Sequence, residues 1–442
     1  MTVKNKAYLA LAFVSIAWGT TYFGIRVVVQ HIPPYLFAGA RQTLAGLLMF
    51  GIALLQKEKF QWSWKSIQQH ALVGLLLIAG GNGFVCWGEQ HIESNIAAII
   101  CSMMPLFAVL INIVLVPQEK INKKIITTPE APKYQDVFGK TIIELAKANP
   151  AIMGITPAMP SGCSLKFMME EMPDRAIDVG IAEQHAVTLS AGLATQGMRV
   201  FCNIYSSFMQ RAYDMVIHGV AIQKLPVVFC LDRAGLVGDD GPTHHGTFDL
   251  AFLNAIPNLI ILSPMDEHEL RNMMYWALDY TKGPVVIRYP RGNGSFIDYQ
   301  NEIQPFQLGT SRTLTSGNKL AIISIGEIGV EVQQAIELNN LQTEITHVDA
   351  RCMKPLDSNT FKTLFDSFDK IITIEESCLL GGFGQQLKAM AQDHSYKGDI
   401  ISLGLPDGFV EHGEIEELRA QYGLDAHSIG LLIRDYGKSA RQ

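Results

Sequence analysis

The sequence predicts an α/β protein in which four transmembrane helices precede two parallel-sheet α/β domains, and three observations predict it. Charge-free runs close to the ~20 residues of a bilayer crossing occur near the start of the chain. From Tyr134 onward, short apolar runs rich in β-branched residues alternate with longer stretches of helical spacing. Between the two lies Gln118 to Lys133, polar and carrying Pro129 and Pro132, which reads as a linker.

Ala7 to Ile25, Ala71 to Gly88 and Ser94 to Pro117 carry no charged residue, and Tyr35 to Leu55 carries only Arg41. A signal peptide is the other reading of the first run, but no small-residue cleavage site follows it. Lys4 and Lys6 precede the first span, Lys57, Lys59 and Lys65 follow the second, and Lys120, Lys123 and Lys124 follow the fourth. The opposite connections, Val27 to Pro34 and Glu89 to Glu93, hold no Lys or Arg. The positive-inside rule then places both ends of the segment in the cytoplasm, in an inner or plasma membrane, with the bilayer as a partner. Arg41 reads equally as a cavity or gating residue and as a snorkelling one.

The run Trp18-Gly19-Thr20-Thr21, then Pro33-Pro34, Ala38 to Arg41, and Asn95 to Pro105 resemble the first repeat of EamA-type permeases of the drug/metabolite transporter superfamily. Members usually have ten helices in two inverted repeats. The resemblance covers residues 1–117 and implies, as an alternative function, a transporter fragment.

Beyond the linker, strands are expected at Ile152 to Thr156, Ile177 to Ile181, Val200 to Tyr205, Pro226 to Leu231, Leu259 to Leu262 and Val285 to Arg288. Helices are expected at Tyr134 to Asn149, Glu183 to Gln196, Ser206 to Gln223 and Asp266 to Tyr280. A second block has strands at Leu320 to Ile325, Ile345 to Val348, Lys370 to Ile374 and Ile400 to Leu403. Such alternation argues for mostly parallel sheets covered on both faces, in domains at 134–300 and 301–442.

Composition narrows the function. Net charge is -7 and charged residues are 17% of the 442, so there is no basic footprint for nucleic acid. The seven cysteines are odd in number and scattered without C-x-x-C pairs, which argues against a disulfide framework or structural zinc site. Ligands of parallel sheets collect at the carboxyl ends of strands. At those ends stand Glu183-Gln184-His185, Tyr205, Asp232-Arg233 and Arg288 to Arg291. The loop Gly235 to Gly246 adds Asp239, Asp240, His244 and His245 among its glycines and reads as a substrate loop. Taken one at a time, these residues also read as turn or cap residues. The adjacent histidines have no ligand partner at metal spacing.

The strings DVGIAEQHAVT (178–188), YSSFMQRAYD (205–214), AIQKLPVVFCLDRAGLVGDDGPTHHG (221–246), RYPRG (288–292) and LGLPDGFVEHG (403–413) resemble the 1-deoxy-D-xylulose-5-phosphate synthase family of transketolase-like enzymes. That resemblance implies a pyrimidine-binding domain followed by a transketolase C-terminal domain, using thiamine diphosphate. It implies condensation of pyruvate with glyceraldehyde 3-phosphate and loss of CO2, serving isoprenoid and thiamine precursors. Glu183 would hydrogen-bond the cofactor's pyrimidine nitrogen and Phe208 would stack on its ring. Arg233 and Arg291 would hold the phosphate, because a planar guanidinium binds its oxygens bidentately. Tyr205, Arg211, Asp240 and His244 would surround the substrates, His244 also moving protons. Gly381-Gly382-Phe383-Gly384 lacks the third glycine of a dinucleotide fingerprint and reads as a tight turn before a helix.

The family anchors the cofactor's diphosphate through Mg2+ at a Gly-Asp-Gly followed later by Asn. No Gly-Asp-Gly occurs in these residues; Gly238-Asp239-Asp240-Gly241 belongs to the substrate loop. The expectation is therefore a chain with no metal site of its own, incomplete until a separate chain supplies the diphosphate-binding domain, with a homodimer as the family's usual assembly. A chimera of two unrelated pieces with neither activity is the remaining reading.

Overall fold

A computed structural model describes residues 21, 23–55, 74, 81–92, 96–97, 100–101, 131–295 and 299–438. The chain divides into two compact units, Met1–Ile126 and Thr127–Gln442. In the first, the long element is the helix Pro34–Leu55. A small cluster of Ile25, Val29, Ala38 and Cys86 is buried there.

The expected four-span membrane segment is overturned: among the described residues no helix is long and apolar enough to cross a membrane. Pro34–Leu55 has 22 residues, but its apolar run is interrupted by Arg41, Gln42 and Thr43. Its uninterrupted apolar part, 44–55, rises about 18 Å, against a hydrocarbon core of about 30 Å. The expected spans at 7–25, 71–88 and 94–117 fall for the most part outside the described residues. The membrane localisation, the orientation and the bilayer as partner were drawn from those spans and lose their basis with them.

The second unit holds twelve described strands: β1 Ile152–Thr156, β2 Ala176–Asp178, β3 Arg199–Tyr205, β4 Val227–Asp232, β5 Ile260–Leu262, β6 Val285–Arg288, β7 Arg312–Thr315, β8 Leu320–Ile325, β9 Ile345–Asp349, β10 Cys352–Lys354, β11 Lys370–Cys378 and β12 Asp399–Leu405. Seven form one sheet in the order β10-β5-β6-β4-β3-β1-β2, and five form another in the order β12-β11-β8-β9-β7. β1, β4, β6 and β8 are buried along their whole length, as strands covered by helices on both faces must be. That explains their continuous apolar runs, in which each buried Val, Leu or Ile contributes about 1.5–3 kcal/mol.

Three local departures from the expected elements have physical causes. β2 stops at Asp178, because its Oδ1 accepts from the Ala158 and Gly180 amides, at 2.7 and 2.9 Å, and Gly180 turns the chain at φ +72°. The single helix expected over 206–223 is instead a 3₁₀ turn Phe208–Ala212, one α-helical turn and a π-helical stretch Val216–Ala221. Residues i and i+3 eclipse in a 3₁₀ turn, which sets Arg211 over Phe208. β10 is an unexpected strand that leaves the second sheet and pairs antiparallel with β5 at the edge of the first.

A buried ionic cluster stands behind the contact between the two sheets. Arg419 is 9% exposed and meets three carboxylates: Glu376 at 2.6 Å, Glu331 at 3.1 Å and Glu327. Glu376 Oε1 in turn accepts the Leu236 amide at 2.9 Å, so the second sheet grips a loop of the first. Removing one partner of a buried ionic group strands the others without compensation. Arg419→Met is expected to lower stability by about 3–5 kcal/mol, read as a drop in the urea midpoint. An unchanged midpoint would contradict the role given to this cluster.

Candidate functional site

Because β2, β1, β3, β4 and β6 run parallel, their carboxyl ends lie along one edge of the sheet. The last rung between β3 and β4 pairs Tyr205 with Asp232. Immediately beyond it the Ser206 amide donates to the Asp232 carbonyl at 2.8 Å, holding both chains together as they leave the sheet. Glu183 opens the helix Glu183–Thr195 after β2.

Glu183 is 2% exposed and its Oε1 accepts from Arg211 Nη1 at 2.5 Å. The Arg211 guanidinium lies 4.9 Å from the centre of the Phe208 ring. Phe208 has Tyr205 stacked at 5.6 Å and 20° on one side and meets His244 edge-on at 5.1 Å and 65°. Tyr205 then carries the Arg233 guanidinium over its own ring at 4.1 Å. Six of the expected residues, Glu183, Arg211, Phe208, His244, Tyr205 and Arg233, thus form one continuous chain of contacts.

Arg233 is the most constrained of them. It sits at φ +61°, which non-glycine residues adopt only where their surroundings hold them. Its Nη1 is 2.8 Å from Asp232 Oδ2 and donates to the Gly162 carbonyl at 2.7 Å, while Nη2 donates to Gln135 Oε1 at 3.3 Å. Burial pushes the Asp232 carboxyl up to about 6 against the pull of Arg233, and Arg291 is near enough to oppose the rise as well. Burial likewise pushes the Tyr205 hydroxyl up to about 12, leaving it a neutral donor.

The two remaining residues form a second group. Arg291 Nη1 donates to Asp240 Oδ2 at 2.9 Å and to the Val237 carbonyl at 2.8 Å. The base of their loop is closed by paired 2.8 Å bonds between Gly235 and Gly246. Glycine is required at 246, since a Cβ there would lie 2.2 Å from the Arg233 carbonyl oxygen. The adjacent histidines separate: His244 faces Phe208, whereas His245 turns inward to Val237 and Glu411.

A buried carboxylate linked through Arg211 to an aromatic ring suits a flat heterocycle with a ring nitrogen. Two arginines nearby suit a phosphate. Among the described residues no group of three or more His, Cys, Asp and Glu side chains could hold a metal ion. Sequence reasoning passed over Gln135, Gly162 and Glu376, which position Arg233 and the loop; they lie far from the sheet edge in sequence and carry no motif.

Residues 130–295 match the profile of the transketolase pyrimidine-binding domain, 309–429 that of the transketolase C-terminal domain and 5–127 that of the EamA-like transporter family. The chain is 56% identical over 318 residues to the 1-deoxy-D-xylulose-5-phosphate synthase of Cytophaga hutchinsonii, covering 72% of this chain and 50% of that protein. It is 54% identical over 304 residues to that of Bacteroides fragilis, with 68% and 47% covered. The chain therefore spans about half the length of the curated relatives it matches. In fold it is similar to a split-gene transketolase described as an inactive β4 tetramer, with TM-score 0.60, 24% identity, and 70% of this chain and 100% of that one covered. The transketolase of Leishmania mexicana gives 0.58 at 18% identity, with 82% and 54% covered. The part of the chain after residue 129 belongs to the transketolase family, as a pyrimidine-binding domain and a C-terminal domain homologous to those of 1-deoxy-D-xylulose-5-phosphate synthases.

Proposed function

We propose that residues 134–300 and 301–442 are the pyrimidine-binding and C-terminal domains of a catalyst that condenses pyruvate with glyceraldehyde 3-phosphate, releasing CO2. A diphosphate-binding domain, and with it the Mg2+ site, completes the centre. The observation that carries the reading is the buried Glu183 carboxylate, linked through Arg211 to the Phe208 ring, at the strand edge that also presents Arg233 and Arg291.

Thiamine diphosphate, when bound, supplies the carbon nucleophile for the reaction. Glu183 would share a proton with the ring nitrogen of the bound pyrimidine, and Arg211 would hold the carboxylate in orientation. Phe208 offers its apolar surface to that ring, and its neighbours Tyr205 and His244 border the substrate space. Arg233 and Arg291 bind the phosphate of the acceptor sugar, Arg233 fixed in advance by Asp232, Gly162 and Gln135. Asp240 aligns Arg291, and His244 moves a proton at the acceptor carbonyl.

The full chain mixed with a diphosphate-binding polypeptide is expected to bind thiamine diphosphate and to release CO2 from pyruvate in the presence of glyceraldehyde 3-phosphate. Glu183→Gln should then lower kcat by roughly 10²–10⁴. A mixture that binds no cofactor, or a Glu183→Gln variant with full turnover, refutes the reading. Arg291→Met should raise KM for glyceraldehyde 3-phosphate by about 10–100-fold with little change in kcat, the mark of lost uniform binding. An unchanged KM would take the phosphate away from this arginine.

A further inference from the structure

His245 lies in the substrate loop but does not face the candidate site. It is 3% exposed, and its two ring nitrogens join different parts of the protein. The Val237 amide donates to Nδ1 at 3.0 Å, across the loop. Nδ1 must then be unprotonated, so Nε2 bears the hydrogen and donates to the Glu411 carbonyl at 3.2 Å, on the C-terminal domain. The residue so held, Val237, is the one whose carbonyl takes Arg291 at 2.8 Å. The second sheet reinforces the same stretch through Glu376, which accepts the neighbouring Leu236 amide.

We propose that neutral His245 is a positioning residue that ties loop 235–246 to the C-terminal domain, so that Arg291 and Asp240 are aligned only while its ring is uncharged. The proposal rests on the functional reading above for what the loop serves, and on hydrogen-bond geometry alone for the tie. A protonated ring carries N–H on both nitrogens, and its Nδ1–H then opposes the Val237 N–H where a bond had been. The groups facing the ring are Glu376 on β11, Asp240 and His244 of its own loop, and the Glu411 carbonyl. Burial outweighs the two carboxylates and holds the imidazole below its usual range. With the folded-state value depressed, the tie is complete above the ordinary histidine range and is lost as pH falls through the lowered value.

Amide hydrogen exchange on the full chain, from about pH 8 down to about pH 4 and corrected for intrinsic rates, tests this on wild type, His245→Gln and His245→Leu. Glutamine keeps an acceptor for Val237 and a donor for Glu411 but does not titrate. Wild type is expected to lose protection at the Val237 amide by about tenfold relative to His245→Gln on the acid side, and to equal it near pH 8. His245→Leu should be unprotected there throughout. Unchanged protection in β3 across the three proteins certifies that each is folded. Coincident profiles for wild type and His245→Gln, or a loop as protected in His245→Leu as in wild type, would overturn the tie. Since no cofactor or substrate is present, this result is independent of turnover, which alone decides the synthase reading.

Discussion

The pairing of Tyr205 with Asp232 at the end of the β3–β4 ladder is the contact from which the candidate site is built. It brings two successive strand exits side by side, so that the segments leaving them must share one space. After Tyr205 the tight 3₁₀ turn lifts Phe208 and Arg211 toward Glu183, and after Asp232 the chain enters the left-handed conformation at Arg233. The guanidinium of one exit then lies on the ring of the other. Both strands are buried on their two faces, so a slip of one residue would exchange the side chains packed above the sheet with those packed below it, and these neighbours are fixed by the packing of the core.

The second sheet takes part in the site without supplying any of the residues that border it. Through Glu376 and the Glu411 carbonyl it holds the loop that presents Asp240 and His244, and through β10 it adds a strand to the first sheet. Behind Glu376 stands the buried Arg419 cluster, whose members all lie in the C-terminal domain. Buried ionic groups add little net stability against apolar substitutes, yet breaking one is costly, which suits a contact that must form in one geometry. Glu375 shows the same economy: its carboxylate caps the helix Phe383–Asp393, accepting the Phe383 and Gly384 amides at 2.8 Å each. The glycine run before that helix is thereby filled by the protein's own anion.

Much of the second unit was legible because buried parallel strands leave continuous apolar runs. Ile152–Thr156, Val285–Arg288 and Leu320–Ile325 occur at the residues expected. The irregular stretch over 208–221 was not legible, since its apolar spacing is compatible with an ordinary helix and the change in winding answers to tertiary contacts. β7 and β10 were missed because three or four residues at a sheet edge carry too little pattern. The spanning helices failed for a different reason: a hydropathy run reports composition, and the polar step at Arg41 to Thr43 interrupts the apolar run of the long helix that is described. In the site, residue types at strand ends singled out the loop and the arginines. The inward turn of His245, and the hold of Gln135 and Gly162 on Arg233, depend on contacts between distant segments.

The central claim is that the Glu183 carboxylate is built to meet a ring nitrogen of a flat heterocycle. A crystal structure of the chain with a diphosphate-binding polypeptide and thiamine diphosphate tests it most directly. The expected result is the aminopyrimidine ring against Phe208, with its ring nitrogen in hydrogen-bonding distance of a Glu183 oxygen. A cofactor seated elsewhere, with Glu183 engaged by Arg211 alone, would contradict it.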